Sequence, residues 1–130
     1  MKKFIFILFL FILNNNYAFS MEPDVFVQST VNRASQILSK NISKDQKIEE
    51  LKNIAKETVD IKGVGFYSLG SARKNLDDNQ KKQYLDLFEK YFLKSFSSRL
   101  AEYTNPEIDV KDKEVINKNY TIVNSILIAT

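Results

Sequence analysis

Residues 59–103, VDIKGVGFYSLGSARKNLDDNQKKQYLDLFEKYFLKSFSSRLAEY, decide the fold of this chain. They join a glycine-punctuated apolar stretch to one long amphipathic segment. Asp77 stands where an N-cap is needed, and Gln80, three residues later, completes a capping box. A helix from Asp77 to Tyr103 would be about 40 Å long at 1.5 Å per residue.

Apolar side chains cover about two-thirds of the circumference of this helix, more than the single stripe that core packing requires. One stripe consists of Leu85, Phe88, Phe92, Phe96, Leu100 and Tyr103, and a flanking set consists of Tyr84, Leu87 and Tyr91. Two different surfaces must therefore cover the helix. Phenylalanines at helical spacing are also typical of an ordinary core, and that interpretation stays open.

The segments before the long helix predict three shorter elements. Residues 24–40 form an amphipathic helix with Asp24 near its N-cap, and residues 44–59 form a second helix capped by Ser43. Between Gly63 and Gly70 the pattern fits a short helix that Gly70 ends at its C′ position, with a short strand as the alternative.

The period changes after residues 105–106, Asn-Pro. Ile108, Val110 and Val115 then suggest a half-exposed strand, residues 118–119 fit a turn, and residues 120–129 (YTIVNSILIA) have strand character. The apolar run reaches the end at Thr130. We therefore expect an α+β fold with N-terminal helices and one long helix packed on a curved antiparallel sheet, of which only the first strands are present.

The first twenty residues have the three-part layout of a secretory signal peptide. Met1-Lys2-Lys3 is a basic start, residues 4–13 (FIFILFLFIL) are apolar, and Ala18 and Ser20 suit cleavage before Met21. Ten apolar residues rise only about 15 Å as a helix, half of a hydrocarbon core. The predicted organisation is a signal peptide at 1–20 and a single domain at 21–130.

Charge and cysteine content restrict the function further. The chain has 19 Lys+Arg and 16 Asp+Glu, and loss of Lys2 and Lys3 leaves 17 against 16. A nearly neutral mature chain gives no indication of nucleic-acid binding. Because there is no Cys, the mature chain must be held together by its core, and a bacterial periplasm fits a secreted protein of this kind.

The sequence offers little catalytic chemistry. It contains no His and no Cys, which removes His-based acid–base catalysis, thiol nucleophiles and most zinc sites. Ser71 and Lys74 have Ser-x-x-Lys spacing without the companion motifs of that chemistry. The acidic residues at 109, 112 and 114 and the lysines at 81, 82, 90 and 94 fit solvated faces, although the lysines also suit an acidic lipid or protein. We expect no enzyme activity, cofactor or metal.

Residues 59–110 resemble the MlaC, or toluene-tolerance, family of periplasmic phospholipid-binding proteins. The matching elements are Val59-Asp60, the segment from Phe66 to Leu69-Gly70, Gln80 with the following Leu87-Phe88 and Tyr91, and residues 98–103 (SRLAEY). Three features depart from the family. Arg73 stands near the position where the family usually has an aromatic residue, and the family often has Tyr where this chain has Phe96. Members also continue through further strands and helices, so this chain resembles a C-terminally truncated member.

The resemblance implies a shuttle that carries phospholipid between an inner-membrane ABC transporter complex and an outer-membrane lipoprotein complex, a role in outer-membrane lipid asymmetry. We predict that the acyl chains lie in an apolar cavity. The candidate lining residues are Phe66, Leu69, Leu85, Phe88, Phe92, Phe96, Ile122, Val123 and Ile126. The alternatives are a carrier of hopanoid-type lipid, a small adaptor domain, or a non-functional remnant.

Overall fold

Four helices precede an antiparallel hairpin in the computed structural model, which describes residues 20–128. The helices are α1 (Pro23–Ser39), α2 (Lys44–Thr58), α3 (Ile61–Ser68) and α4 (Asp78–Leu100), and the strands are β1 (Glu107–Asn117) and β2 (Tyr120–Ile128). A 3-10 helix, Gly70–Lys74, connects α3 to α4. The predicted α+β class with a partial sheet is confirmed. The predicted signal peptide, apart from Ser20, and residues 129–130 lie outside the described residues.

The predicted capping box at Asp77 is present, and the predicted cap at Ser43 also forms a capping box. The Ser43 hydroxyl accepts a hydrogen bond from the Gln46 amide (3.2 Å), and the Gln46 side chain accepts one from the Ser43 amide (3.0 Å). Asp77 and Gln80 make the same pair of bonds, at 2.8 and 3.0 Å. Each box satisfies amide groups that have no partner within the helix.

The first helix begins differently from the predicted cap. Glu22 occupies the N-cap position without a side-chain bond, and Pro23 follows as the first helical residue, a position that suits its fixed φ. Asp24 lies inside the first turn, where its carboxylate accepts a hydrogen bond from Lys113 of β1 (2.7 Å).

The glycine-punctuated stretch is the helix α3, and the strand alternative is wrong. Gly65 is buried where α3 crosses α4, and a Cβ there would lie 2.7 Å from the Phe88 ring and 3.2 Å from Leu85. Gly70 follows the helix with a φ of +53°, as expected of a C′ glycine. The glycines therefore permit close helix packing and a stop.

Two apolar clusters form the core. Ile37, Leu38, Leu51 and Ile54 form the first, which joins α1 to α2 and includes Leu100 at its edge. Ala55, Ile61 and Leu93 form the second, with Phe88 and Phe92 packed against it. Helix α4 thus contributes to both clusters and packs against both α2 and α3.

The hairpin packs mainly on α1 rather than on the long helix. Register shifts after Val110 and after Val115 mark irregularities in β1. The first inserts one extra residue, so Lys113 pairs with Val123 and shares a face with Val110. Lys113 bonds to Glu22 and Asp24 at the start of α1, both at 2.7 Å.

Candidate functional site

An apolar groove of about 310 Å³ lies between α1, α2, the C-terminal end of α4 and the hairpin. Its walls are Thr30, Val31, Ala34, Ser35, Leu38, Leu51, Ile54, Ala55, Thr58, Val59, Phe96, Leu100, Tyr103, Pro106, Ile108 and Leu127. None of these side chains is charged, so the groove suits an apolar ligand.

Local periodicity brings the walls of this groove together. Val31, Ala34 and Leu38 recur at spacings of three and four on α1, which places them on one helix face. On the hairpin Ile108 pairs with Leu127, and paired residues point to the same side of a sheet. The groove therefore forms where the apolar face of α1 meets the inward face of the hairpin.

The threonines in the groove present little polarity to a ligand. Thr30 Oγ1 donates to the carbonyl of Phe26 (2.9 Å), and Thr58 Oγ1 donates to the carbonyl of Ile54 (2.7 Å). Because each threonine hydroxyl already donates a hydrogen bond within its own helix, neither requires a polar partner from a ligand. The arrangement can hold hydrocarbon, and it contains no pair of groups suited to acid–base or nucleophilic chemistry.

A second groove of about 400 Å³ continues the first around the end of α4. The two share Phe96, Leu100, Tyr103 and Leu127. Phe92, Tyr91, Ser95 and Arg99 complete the second groove. Among the described residues that line the two grooves, Arg99 is the one with a charged side chain, and it forms no ion pair within residues 20–128.

Four aromatic residues of α4, Tyr84, Phe88, Phe92 and Phe96, form one stacked row. Ring centroids are 5.9 Å apart between Tyr84 and Phe88, 6.1 Å between Phe88 and Phe92, and 5.3 Å between Phe92 and Phe96. Phe96 lines both grooves and Phe92 lines the second. Phe88 packs against the second core cluster and contributes to neither groove.

Three other predicted lining residues from the helices, Phe66, Leu69 and Leu85, line neither groove. Leu85 faces Gly65 at the crossing of α3 and α4, and Leu69 is half-buried at the end of α3. The Phe66 ring is exposed under the Arg73 guanidinium, 5.5 Å from its centroid. None of these three lines the apolar groove, and their role in lipid binding stays a prediction.

The hairpin separates the three predicted strand residues. Val123 shares the inward face with Leu127 and is half-buried, whereas Ile122 and Ile126 point to the other face and are exposed. Since neighbouring residues of a strand alternate between faces, one cavity wall cannot include both sets. Their role in lipid binding likewise stays a prediction.

Sequence reasoning missed most of the groove walls. Val31, Ala34 and Leu38 recur at spacings of three and four within the predicted amphipathic helix, and that pattern predicts only that this helix face is covered. The sequence does not indicate that the hairpin leaves part of this apolar stripe uncovered. Nothing local in the sequence marks Pro106, Ile108 or Leu127 as the residues opposite it.

Charged groups cluster at the junction of the hairpin with α1. The hydrogen bond from Lys113 lowers the pKa of Asp24 below its usual 3.8, against a smaller opposing effect of burial. The bonds to Asp24 and then Glu22 raise the pKa of Lys113. Lys113 forms ion pairs with Glu22 and Asp24, both at 2.7 Å, which join the hairpin to the start of α1.

No group of three or more His, Cys, Asp or Glu side chains in residues 20–128 is arranged to hold a metal ion. No helix in that part of the chain combines the length and hydropathy needed to cross a bilayer.

Comparison with known proteins bears on the whole arrangement. The family model described as MlaC protein matches residues 28–130, which include all of α2, α3, α4 and the hairpin. No curated protein and no solved structure matches the chain. The matched range covers most of the sequence and all walls of the apolar groove. The chain therefore belongs to the MlaC protein family, a family of phospholipid-transport-related periplasmic proteins.

Proposed function

We propose that this chain binds phospholipid in the periplasm and carries it between an inner-membrane ABC transporter complex and an outer-membrane lipoprotein complex. Residues 1–20 direct secretion, and residues 21–130 form the lipid-binding domain. The observation that carries the proposal is the uncharged groove, whose walls come from three helices and both strands.

Hydrocarbon burial explains why a carrier needs such a groove. Removing acyl chains from water is worth about 0.8 kcal/mol per CH₂, so roughly thirty methylenes represent on the order of 20 kcal/mol. A volume of about 310 Å³ lies at the lower end of ligand pockets, which span roughly 300–1,000 Å³. The apolar groove therefore accommodates part of a lipid, and the second groove extends the surface available to it.

Arg99 supplies a position for the headgroup. Its guanidinium borders the second groove, next to the apolar residues that the two grooves share. A planar guanidinium matches a phosphate oxygen pair, and an unpaired arginine is free to accept one. In this arrangement the acyl chains follow Phe96 and Leu100 inward while the phosphate stays in water at Arg99.

The proposal is tested by the lipid that the protein retains. The mature protein is purified by gel filtration, and its lipid is extracted and identified by mass spectrometry. Val31→Trp fills the apolar groove and should lower the retained phospholipid several-fold. Val25→Trp is the matched control, because Val25 lies on the same helix, is 52% exposed and lines neither groove.

Three outcomes would count against this assignment. Folded wild-type protein without extractable lipid would overturn it, and equal lipid in the Val31→Trp protein would move the site elsewhere. Hopanoid in place of phospholipid would make the groove a carrier site for a different lipid. Arg99→Gln tests the headgroup position separately, since it should weaken binding of phospholipid more than binding of an uncharged diacylglycerol.

A further inference from the structure

A third groove, between α2 and α4, differs from the other two because it is basic. It has a volume of about 590 Å³. Four lysines line it, two from each helix: Lys52, Lys56, Lys90 and Lys94. Asp45 and Glu49 also line it, so its side chains carry more positive than negative charge. The predicted mature chain is nearly neutral, and the groove is thus a local concentration of positive charge.

Most of these lysines lack an acidic partner. Lys52 pairs with Glu49 at 2.7 Å. Lys56, Lys90 and Lys94 form no ion pair with any residue in 20–128. The family function proposed above assigns them no role. Their charge is therefore available to an external anion.

An exposed apolar pair borders the same lysines. Leu87 and Tyr91 are 66% and 69% exposed and stand one turn apart on α4. Lys90 and Lys94 follow them by three residues, which places each lysine beside an apolar residue on the helix surface. Leucine and tyrosine flanked by lysines are typical of protein surfaces that lie in the interface of a membrane.

We propose that the surface formed by Leu87, Lys90, Tyr91 and Lys94 of α4, together with Lys56 of α2, docks the protein onto an anionic bilayer. Leu87 and Tyr91 enter the interface, and Lys56, Lys90 and Lys94 face the lipid phosphates. A bilayer is favoured over an acidic protein because Leu87 and Tyr91 are both exposed on the helix surface. Such residues can insert into a flat bilayer, whereas a protein partner would need a complementary pocket. The docking goes beyond lipid carriage and does not require that the apolar groove hold lipid.

Sedimentation with lipid vesicles tests the docking. Vesicles of phosphatidylglycerol and phosphatidylethanolamine should bind the mature wild-type protein, and vesicles of phosphatidylcholine should bind it weakly. Lys90→Gln/Lys94→Gln should weaken the binding about 25-fold, because each lysine near an anionic surface contributes about fivefold, or ~1 kcal/mol. Raising the salt from about 0.01 M to about 0.15 M should also weaken it, since the Debye length shortens from ~30 to ~8 Å.

Control variants separate this face from general charge and general hydrophobicity. Lys74→Gln/Lys118→Gln removes the same charge outside the groove and should bind like wild type. Leu87→Gln/Tyr91→Gln should lower vesicle binding without changing its salt dependence. Val115→Gln, at a position as exposed as Leu87 (66%), should leave vesicle binding unchanged. Circular dichroism checks that each variant is folded.

Several results would overturn the docking. They are absence of wild-type binding to the anionic vesicles, an equal loss in the Lys74→Gln/Lys118→Gln control, or unchanged binding of the groove variant. Retention on immobilised polyglutamate without any vesicle binding would assign the face to an acidic protein instead. Lipid extraction from the Lys90→Gln/Lys94→Gln protein keeps the two proposals apart, because neither lysine lines the apolar groove or the second groove. Loss of docking with retained lipid leaves the carrier function intact.

Discussion

Ser97 is the most unusual single residue of the core. It is fully buried on α4, and its Oγ has no hydrogen-bond partner among the described residues. A buried hydroxyl without a partner costs about 1–3 kcal/mol.

Ser97→Ala should therefore stabilise the protein by about 1 kcal/mol, because it removes the unpaired hydroxyl and improves helix propensity. Thermal unfolding followed by circular dichroism should show an increase in Tm of roughly 4 °C. Ser98→Ala is the control, since Ser98 is its half-buried neighbour and the propensity change is the same. A lower Tm for Ser97→Ala would mean that the hydroxyl has a partner in solution.

Asp24 gives the clearest pH effect at this scale. Its folded pKa lies below the usual 3.8 because its carboxylate accepts a hydrogen bond from Lys113. A lowered carboxyl pKa contributes stability that is fully present above the usual value and is lost as the pH falls through the folded pKa. The contact between hairpin and α1 should therefore loosen in acid below about pH 4.

NMR titration of the Asp24 carboxyl carbon measures this effect directly. The pKa in the wild-type protein should lie below that in Lys113→Met, in which the donor is absent. For Lys113 the sign is opposite: its raised pKa contributes stability that is lost only as the pH rises through the folded value. Equal Asp24 titrations in the two proteins would show that the ion pair does not form in solution.

At the scale of the elements, the contact between α3 and α4 depends on Gly65. Gly65→Ala places a Cβ 2.7 Å from the nearest carbon of the Phe88 ring, closer than side-chain carbons normally approach. Overpacking of this kind costs about 1–3 kcal/mol, and the better helix propensity of alanine offsets up to about 1 kcal/mol of it. The net effect should be a destabilisation of about 1–2 kcal/mol by chemical denaturation.

A double-mutant cycle with Phe88→Leu identifies the cause. The smaller side chain makes room for the new methyl group, so Gly65→Ala should cost less in the Phe88→Leu protein than in wild type. Equal costs in both backgrounds would contradict the proposed clash. The cycle also separates the Phe88 packing role from any contact with lipid, because it is measured without ligand.

At the scale of the whole molecule, the helical part is stabilised by more buried apolar contacts than the hairpin. Both core clusters consist of helical residues, whereas the hairpin rests on α1 beside an open groove. A two-stranded sheet is only marginally stable without packing on other elements. The hairpin should therefore open at lower free energy than the helices.

Hydrogen exchange should show this difference. Amides of β1 and β2 should exchange faster than those in the middle of α2, where Leu51 and Ala55 are 1% exposed. Bound lipid should slow exchange in the hairpin selectively, because Ile108 and Leu127 line the groove. Equal protection of strands and helices in lipid-free protein would contradict a separately opening hairpin.

Much of the local structure was predictable because its causes are local. The capping boxes at Ser43 and Asp77 need only residues three positions apart, and Gly70 stops α3 by its own backbone conformation. The turn at residues 118–119 was predicted from the sequence for the same reason. The start of α1 differs slightly, because Pro23 suits the first helical position while Asp24 binds a residue far away in the sequence.

The candidate site was less predictable, because it depends on contacts between distant segments. The sequence alone predicts amphipathic helices, a capped long helix whose apolar side chains cover about two-thirds of its circumference, and a resemblance to the MlaC family. The tertiary structure alone decides which apolar stripes stay open, which face Val123 and Ile122 take, and that the lysines of α2 and α4 share a groove. A bulge changes which strand residues face the core, and the packing of helices against one another determines where a groove forms. Residue spacing within a single element specifies neither of these.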